Sequence, residues 1–441
     1  MKHYLLFVLL ICLGLLLVPG VSPVLGQAVA REHVEQEPVA REQLNDYTIT
    51  VSVDGDDADA APTSSELAPE TQTMTVLFNQ TGPGRCAVPI TTMPAKAQTA
   101  VRRAAAIWST LLNGSIPIVI DICWTNASNL PATGAGLLAS CGASGHYINF
   151  AGAPVPDTWY PLPLANQLAN QDFNGASTDM QCRINANRTD WYMETDGVVP
   201  KGQIDLVTVA MHEIGHGLGF EGTADWDDGV FDPDDPNDPN DPVNPVECNG
   251  TMNVGCYDSP PMIYDTFVAT TAGTKLLKMP NNTTTVGNAL TGDALVFDGE
   301  NAKAANGGSA PRLEAPATWV LGSSYVHLRE EVGDPDLVNG LMTPTMSDGV
   351  AIQHPGVIAL GMLKDMGWEI YDLSRTYVDR TNNGLENGGV LHPFNTALEG
   401  ASAVPHSGRV LFFAGNYPET LVISRPMTLE SISGTVVIGT P

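Results

Sequence analysis

The chain has 441 residues, 43% of them hydrophobic and 16% charged, with a formal charge of −29 at pH 7. That length and apolar content suffice for two or three folded domains with a real core. The acidic excess argues against nucleic acid or an anionic membrane surface as partner, because either would repel it.

The N-terminus carries the first local signal. Lys2 and His3 precede the apolar run YLLFVLLICLGLLLV, residues 4–18, which is followed by PGVSPVLGQAVA. A basic start, an apolar segment short for a membrane span and small residues after it describe a secretory signal peptide over residues 1–30. Cleavage is expected after Ala30 in AVA or a few residues earlier. The mature chain is then expected outside the cell, with no membrane insertion once the signal is removed. Cys12 lies in the apolar run; Cys86, Cys123, Cys141, Cys182, Cys248 and Cys256 remain. An even number in an exported chain favours disulfides, and Cys248–Cys256, flanking a short turn-rich loop, is the pairing expected.

Residues 31–70 are acidic and rich in Pro, Ser and Ala, as in a flexible propeptide or linker. TMTVLFN (73–79) alternates like a strand. PAKAQTAVRRAAAIWSTLLNG reads as a helix, begun near Pro94 and stopped at Asn113-Gly114, and IPIVIDICW (116–124) as a second strand. This order suggests a βαβ unit on a mixed sheet. Residues 125–180 read as loop-rich, with HYINFAG as a strand candidate. DMQCRINAN (179–187) is a further strand, a candidate edge along which an extended substrate could align. KGQIDLVTVAMHEIGHGLGF reads as the central helix, capped by Asp205 and stopped at Gly219. The insertion 225–247 contains DPDDPNDPNDPVNP, whose recurring prolines forbid helix and sheet. A solvated, extended acidic loop is the plain reading and Ca2+ binding the sharper one, although the glycine and final glutamate of an EF-hand are absent. HPGVIALGMLKDMGWEI (354–370) reads as a last helix. From about residue 376 the tail gives short β segments split by Gly, Asn and Pro turns.

The chemistry gathers at MHEIGHGLGFEGT, residues 211–223. Residues four apart lie one turn above each other on a helix, so His212 and His216 can offer two imidazoles to one ion. Glu213 projects beside them, placed as a general base toward a water that the ion activates. Gly215, Gly217 and Gly219 each weaken a helix by about 1 kcal/mol relative to alanine, so stability alone does not account for them. A catalytic Zn2+ takes three protein ligands. The pattern HExxHxxGxxH would put the third at Gly222, which has no side chain to offer. Glu221 follows the helix stop too closely and should point elsewhere. From the residues alone, His146, His327, His354 or an acid could complete the set.

The segment SSYVHLREEVGDPDLVNGLMTP (323–344) resembles the region of leishmanolysin-type metzincins in which the third histidine arrives late, after a long insertion. The resemblance implies that His327 is the third ligand and Met342 the methionine of the tight turn beneath the metal. It implies an α+β fold: a metzincin-like catalytic domain over 71–373, with a mixed sheet, an active-site helix and an irregular C-terminal subdomain. The chain is also similar to bacterial exported proteins with HELGHGLGF-like helices and YDxF segments, here PMIYDTFV (261–268). Tyr264 and Tyr325 read as packed tyrosines, with oxyanion assistance the sharper alternative. Residues 374–441 resemble the start of a pectate-lyase-like right-handed parallel β-helix. They are too few for the roughly three coils such a solenoid needs, so a docked solenoid-like tail in contact with a cell surface or glycan is expected. The implied function is a secreted zinc endopeptidase acting on protein or peptide, with Glu213 as base. A non-catalytic adhesion protein with a protease-like core is the competing reading.

Overall fold

A computed structural model describes residues 72–439, with breaks at 82–85, 228–247, 249–251, 331–338, 371–373 and 405–407 and at scattered single or paired positions, together with the strands Gly26–Ala30 and Ile49–Val51. The protein is mixed α+β, and among the described residues no sheet closes into a barrel. Its main sheet uses β1 (Gly26–Ala30), β2 (Met74–Phe78), β3 (Ile118–Thr125), β4 (Gly136–Ala143), β5 (Met180–Asn185) and β6 (Thr345–Met346). Their order across the sheet is β6-β1-β4-β5-β3-β2.

The βαβ expectation is met. β2 and β3 pair in parallel, and helix α1 (Ala95–Leu111) connects them through the short segment that precedes β3. β3 is covered on both faces, which is why IVIDICWT reads as an almost continuous apolar run. β5 continues the parallel set beside β3, and β4 returns antiparallel to β5. The strand foreseen over 179–187 therefore exists, but it is interior rather than an edge. The strand beyond it is β4, GLLASCGA, within the stretch read as loop-rich. Its small residues and two glycines give little β signal. β1 then lies antiparallel to β4 and parallel to β6.

Two further strands fall where none was expected. β1 lies inside the stretch read as a signal peptide. Ile49–Val51, inside the stretch read as a linker, pairs antiparallel with Val436–Ile438 of the tail. The apolar run 4–18 and residues 228–247, with the Ca2+ reading they carry, lie outside the described residues. Among the described residues no helix is long and apolar enough to cross a membrane.

Helix α2 (Leu206–Leu218) lies under the sheet against α1, and all of its residues are buried. The alanine face of α1, with Ala97, Ala100, Ala104 and Trp108, belongs to the same core cluster as α2, so small side chains bring the helices close. Disulfides join Cys86–Cys123, Cys141–Cys182 and Cys248–Cys256, the last as expected. Cys141 and Cys182 are direct cross-strand partners on β4 and β5. The last large helix is α3 (Gly356–Met366), ended by Gly367 in the left-handed region.

The tail adds β7 (Arg375–Val378), the helix Ala397–Ala403, and the four segments β8 (Arg409–Phe412), β9 (Gly415–Tyr417), β10 (Thr428–Ser431) and β11 (Val436–Ile438). β7, β8 and β10 pair in parallel, as do β9 and β11. Val378, Phe394, Val410, Phe412, Tyr417 and Ile438 form a core of their own.

Candidate metal centre

Local chemistry sets α2 in place. Asp205 caps it: its carboxylate accepts from the Thr208 amide at 3.1 Å and the Thr208 hydroxyl at 2.6 Å. Two tryptophans hold the helix from outside. Trp108 Nε1 donates to the Met211 carbonyl at 2.9 Å, and Trp368 Nε1 to the Leu218 carbonyl at 2.8 Å. Gly219, with φ of 137°, turns the chain away.

His212 and His216 project from α2 toward His327, which arrives on the segment after Ser323. All three are fully buried, and their Nε2 atoms lie 3.0, 3.1 and 3.2 Å apart. Each Nδ1 is occupied: His212 by the Leu341 carbonyl at 2.6 Å, His216 by the Phe220 carbonyl at 2.6 Å, His327 by the Ser323 carbonyl at 2.7 Å. A carbonyl only accepts, so each Nδ1 carries the proton and each neutral ring turns a lone pair inward at Nε2. Burial favours the neutral form. It pushes His212 down to about 4 against the opposing bond to Leu341, and holds His216 and His327 well below the usual histidine range.

Three convergent lone pairs repel one another unless a cation sits between them. Nitrogen donors about 2.0–2.1 Å from one tetrahedral ion lie roughly 3.3 Å apart, close to the spacing here. Three imidazoles suit zinc, and the three carbonyls supply the outer contacts that fix tautomer and ring direction. The residues present therefore fit such an ion.

Glu213 follows His212 on the helix and is 1% exposed, so its carboxylate is closed off from bulk solvent. Met342 is buried against α2: a Cβ built on Gly215 would lie 2.7 Å from its Sδ. Its carbonyl accepts from the Leu328 amide at 2.8 Å, which ties the turn carrying Met342 to the segment carrying His327. Gly217 is likewise required, because its Cβ would lie 2.7 Å from Met180 Sδ on β5.

The alternatives for the third position go elsewhere. His146 Nε2 meets Glu221 Oε1 at 2.9 Å, so Glu221 does turn away from the cluster. His354 accepts from the Gly356 amide and packs edge-on against Phe394. Gly222 has a positive reason to be glycine. A Cβ there would lie 2.5 Å from the Tyr325 ring and 2.6 Å from Asp265 Oδ1.

Asp265 is the residue that sequence reasoning missed. Fully buried, it accepts from the Thr223 amide and hydroxyl, the Met262 amide and the Tyr325 hydroxyl, the last at 2.7 Å. Burial raises its pKa, and these donors oppose the rise. The hub holds Tyr325 with φ of 78°, a costly backbone for a tyrosine, two residues before His327. The YDTF motif was its only sequence signal. Tyr264 donates to the Tyr325 carbonyl at 2.9 Å, so both tyrosines are packed supports.

A family model described as SPBPB7E8-like matches residues 43–252, a span that contains His212, Glu213 and His216 and ends before His327. Comparison with curated proteins and with solved structures gave no match.

Proposed function

We propose that the protein is a secreted zinc-dependent endopeptidase with a metzincin-like catalytic domain and a short solenoid-like tail. One observation carries the reading: three buried, neutral imidazoles point their Nε2 lone pairs at one spot, each ring fixed by a carbonyl at Nδ1. An exported location is supported by the three disulfides and the leader-like N-terminus.

His212, His216 and His327 hold the ion. Zinc, when bound, supplies a Lewis acid that acidifies water and polarises a substrate carbonyl. Glu213 takes the proton from the attacking water and passes it to the leaving amine of the peptide bond. Its buried setting strengthens this role, since few solvent molecules compete for the proton. Met342 acts on packing alone, as the surface on which the His216 turn of α2 rests. The parallel pairing of the tail strands supports reading the tail as a short β-helix-like module, to which we assign the contact with a cell surface or glycan.

Casein hydrolysis by wild type and by Glu213→Gln, each with its zinc content measured, tests the reading. Zinc in both and a loss of about 10²–10⁴-fold in rate for Glu213→Gln is the expected result. Full zinc occupancy with equal rates in both proteins would refute Glu213 as the base.

A further inference from the structure

β1 is an interior strand contributed by the chain's own N-terminal segment. Gly26 to Ala30 run antiparallel to Cys141 to Gly136 of β4, with a bulge between Ala28 and Val29. On the other side Val29 and Ala30 pair in parallel with Thr345 and Met346 of β6. Remove β1 and the main sheet ends at β4, with β6 no longer joined to it. The gap left between them is one strand wide.

The gap lies beside the metal centre. β4 and β1 both contact α2. β6 starts three residues after Met342, and three residues of extended chain span at most about 11 Å. Both walls of the gap are main chain, so whatever fills it is read through backbone amides and carbonyls rather than through particular side chains.

We infer that residues 26–30 are an internal blocking strand: they occupy the groove in which an extended polypeptide substrate pairs with β4, and the groove opens when the chain is cut after this segment. This rests on the peptidase reading for the identity of the incoming ligand. Because the strand belongs to the same chain, it competes for the groove intramolecularly, so peptides of weaker affinity are excluded while the chain is intact. Cutting the chain after the strand makes the segment dissociable. The AVA sequence that resembles a processing site ends at Ala30, the last residue of the strand. Removal of the leader and opening of the groove would then be one event.

The test uses the full chain with a site-specific protease sequence inserted after Ala40. Two readouts are taken before and after the cut: hydrogen exchange of residues 136–143, and casein hydrolysis. The uncut double variant Ala28→Pro/Val29→Pro is measured alongside, because neighbouring strand residues donate to opposite sides and two prolines remove a donor on each. Expected are exchange in β4 at least about 10-fold faster after the cut and in the double variant, protection restored by an added peptide GQAVA, and casein hydrolysis raised at least 10-fold. Unchanged β4 exchange in both the cut protein and the proline variant overturns the blocking strand, whatever the enzyme rate. Faster β4 exchange and peptide binding without any zinc-dependent casein hydrolysis leaves the groove in place and sinks the peptidase reading instead.

Discussion

At the scale of single residues, Gly222 and Gly215 show how much of a metal centre is made by absent atoms. Gly222 stands where a short-spaced third ligand would be, and its missing side chain makes room for the Tyr325–Asp265 contact that positions His327. Gly222→Ala is expected to destabilise the fold by about 1–3 kcal/mol and to weaken zinc binding, read by denaturant melts and metal titration. Gly215→Ala drives a methyl into Met342 Sδ, with a similar cost in the same melt. Because the two residues touch, Gly215→Ala combined with Met342→Ala should cost less than the sum of the single changes, and strict additivity would show that the contact does not matter. Asp265→Ala strands the buried Thr223, Met262 and Tyr325 donors together, and a loss of about 3 kcal/mol is expected. These residues also mark the limit of sequence reading. His212, Glu213 and His216 were legible because helical spacing alone puts them on one side of α2. His327 lies 111 residues beyond His216, and nothing local fixes that distance. Only a resemblance at SSYVHL and LMTP pointed to it. Asp265 was not legible, because a buried hub is defined by donors from several separate segments.

At the scale of elements, α2 is an apolar, buried helix that carries three titratable side chains. Its three titratable side chains are tolerated because each His is neutral and hydrogen-bonded, and because the helix is fixed at both ends. Trp368→Phe removes the donor to the Leu218 carbonyl, and a stability loss of about 1–2 kcal/mol is expected in a denaturant melt. The periodic signals of α1, α2 and α3 made these helices readable, whereas β4 hid behind small residues and β5 was read as an edge because β4 was unseen. The tail offers a test by pH. Glu386 is pushed up to about 7, first by burial and then by the nearby Glu399. The folded protein therefore keeps a proton that the unfolded chain releases from about pH 4.5. The stabilisation is complete below about pH 4.5 and is lost as pH rises through about 7. Thermal melts between pH 5 and 8 should show this decline, and Glu386→Gln should flatten it. An identical slope in the variant would assign the decline to other groups.

At the scale of the whole molecule, two cores meet around one scaffold: the large core beneath the main sheet and the small one inside the parallel tail. Arg103 on α1 donates to the Gly384 carbonyl across that contact, and Ile49–Val51 ties the N-terminal segment to the last strand. The chain thus enters its own fold twice before residue 72, a feature that composition alone presents as leader and linker. The function stands on one claim, that His212, His216 and His327 together hold one zinc ion. Metal analysis of wild type, Glu213→Gln and His327→Ala, purified alike and dialysed against the same low zinc concentration, tests it most directly. About one zinc per chain in the first two and almost none in the third is the result expected; full zinc occupancy in folded His327→Ala would contradict it.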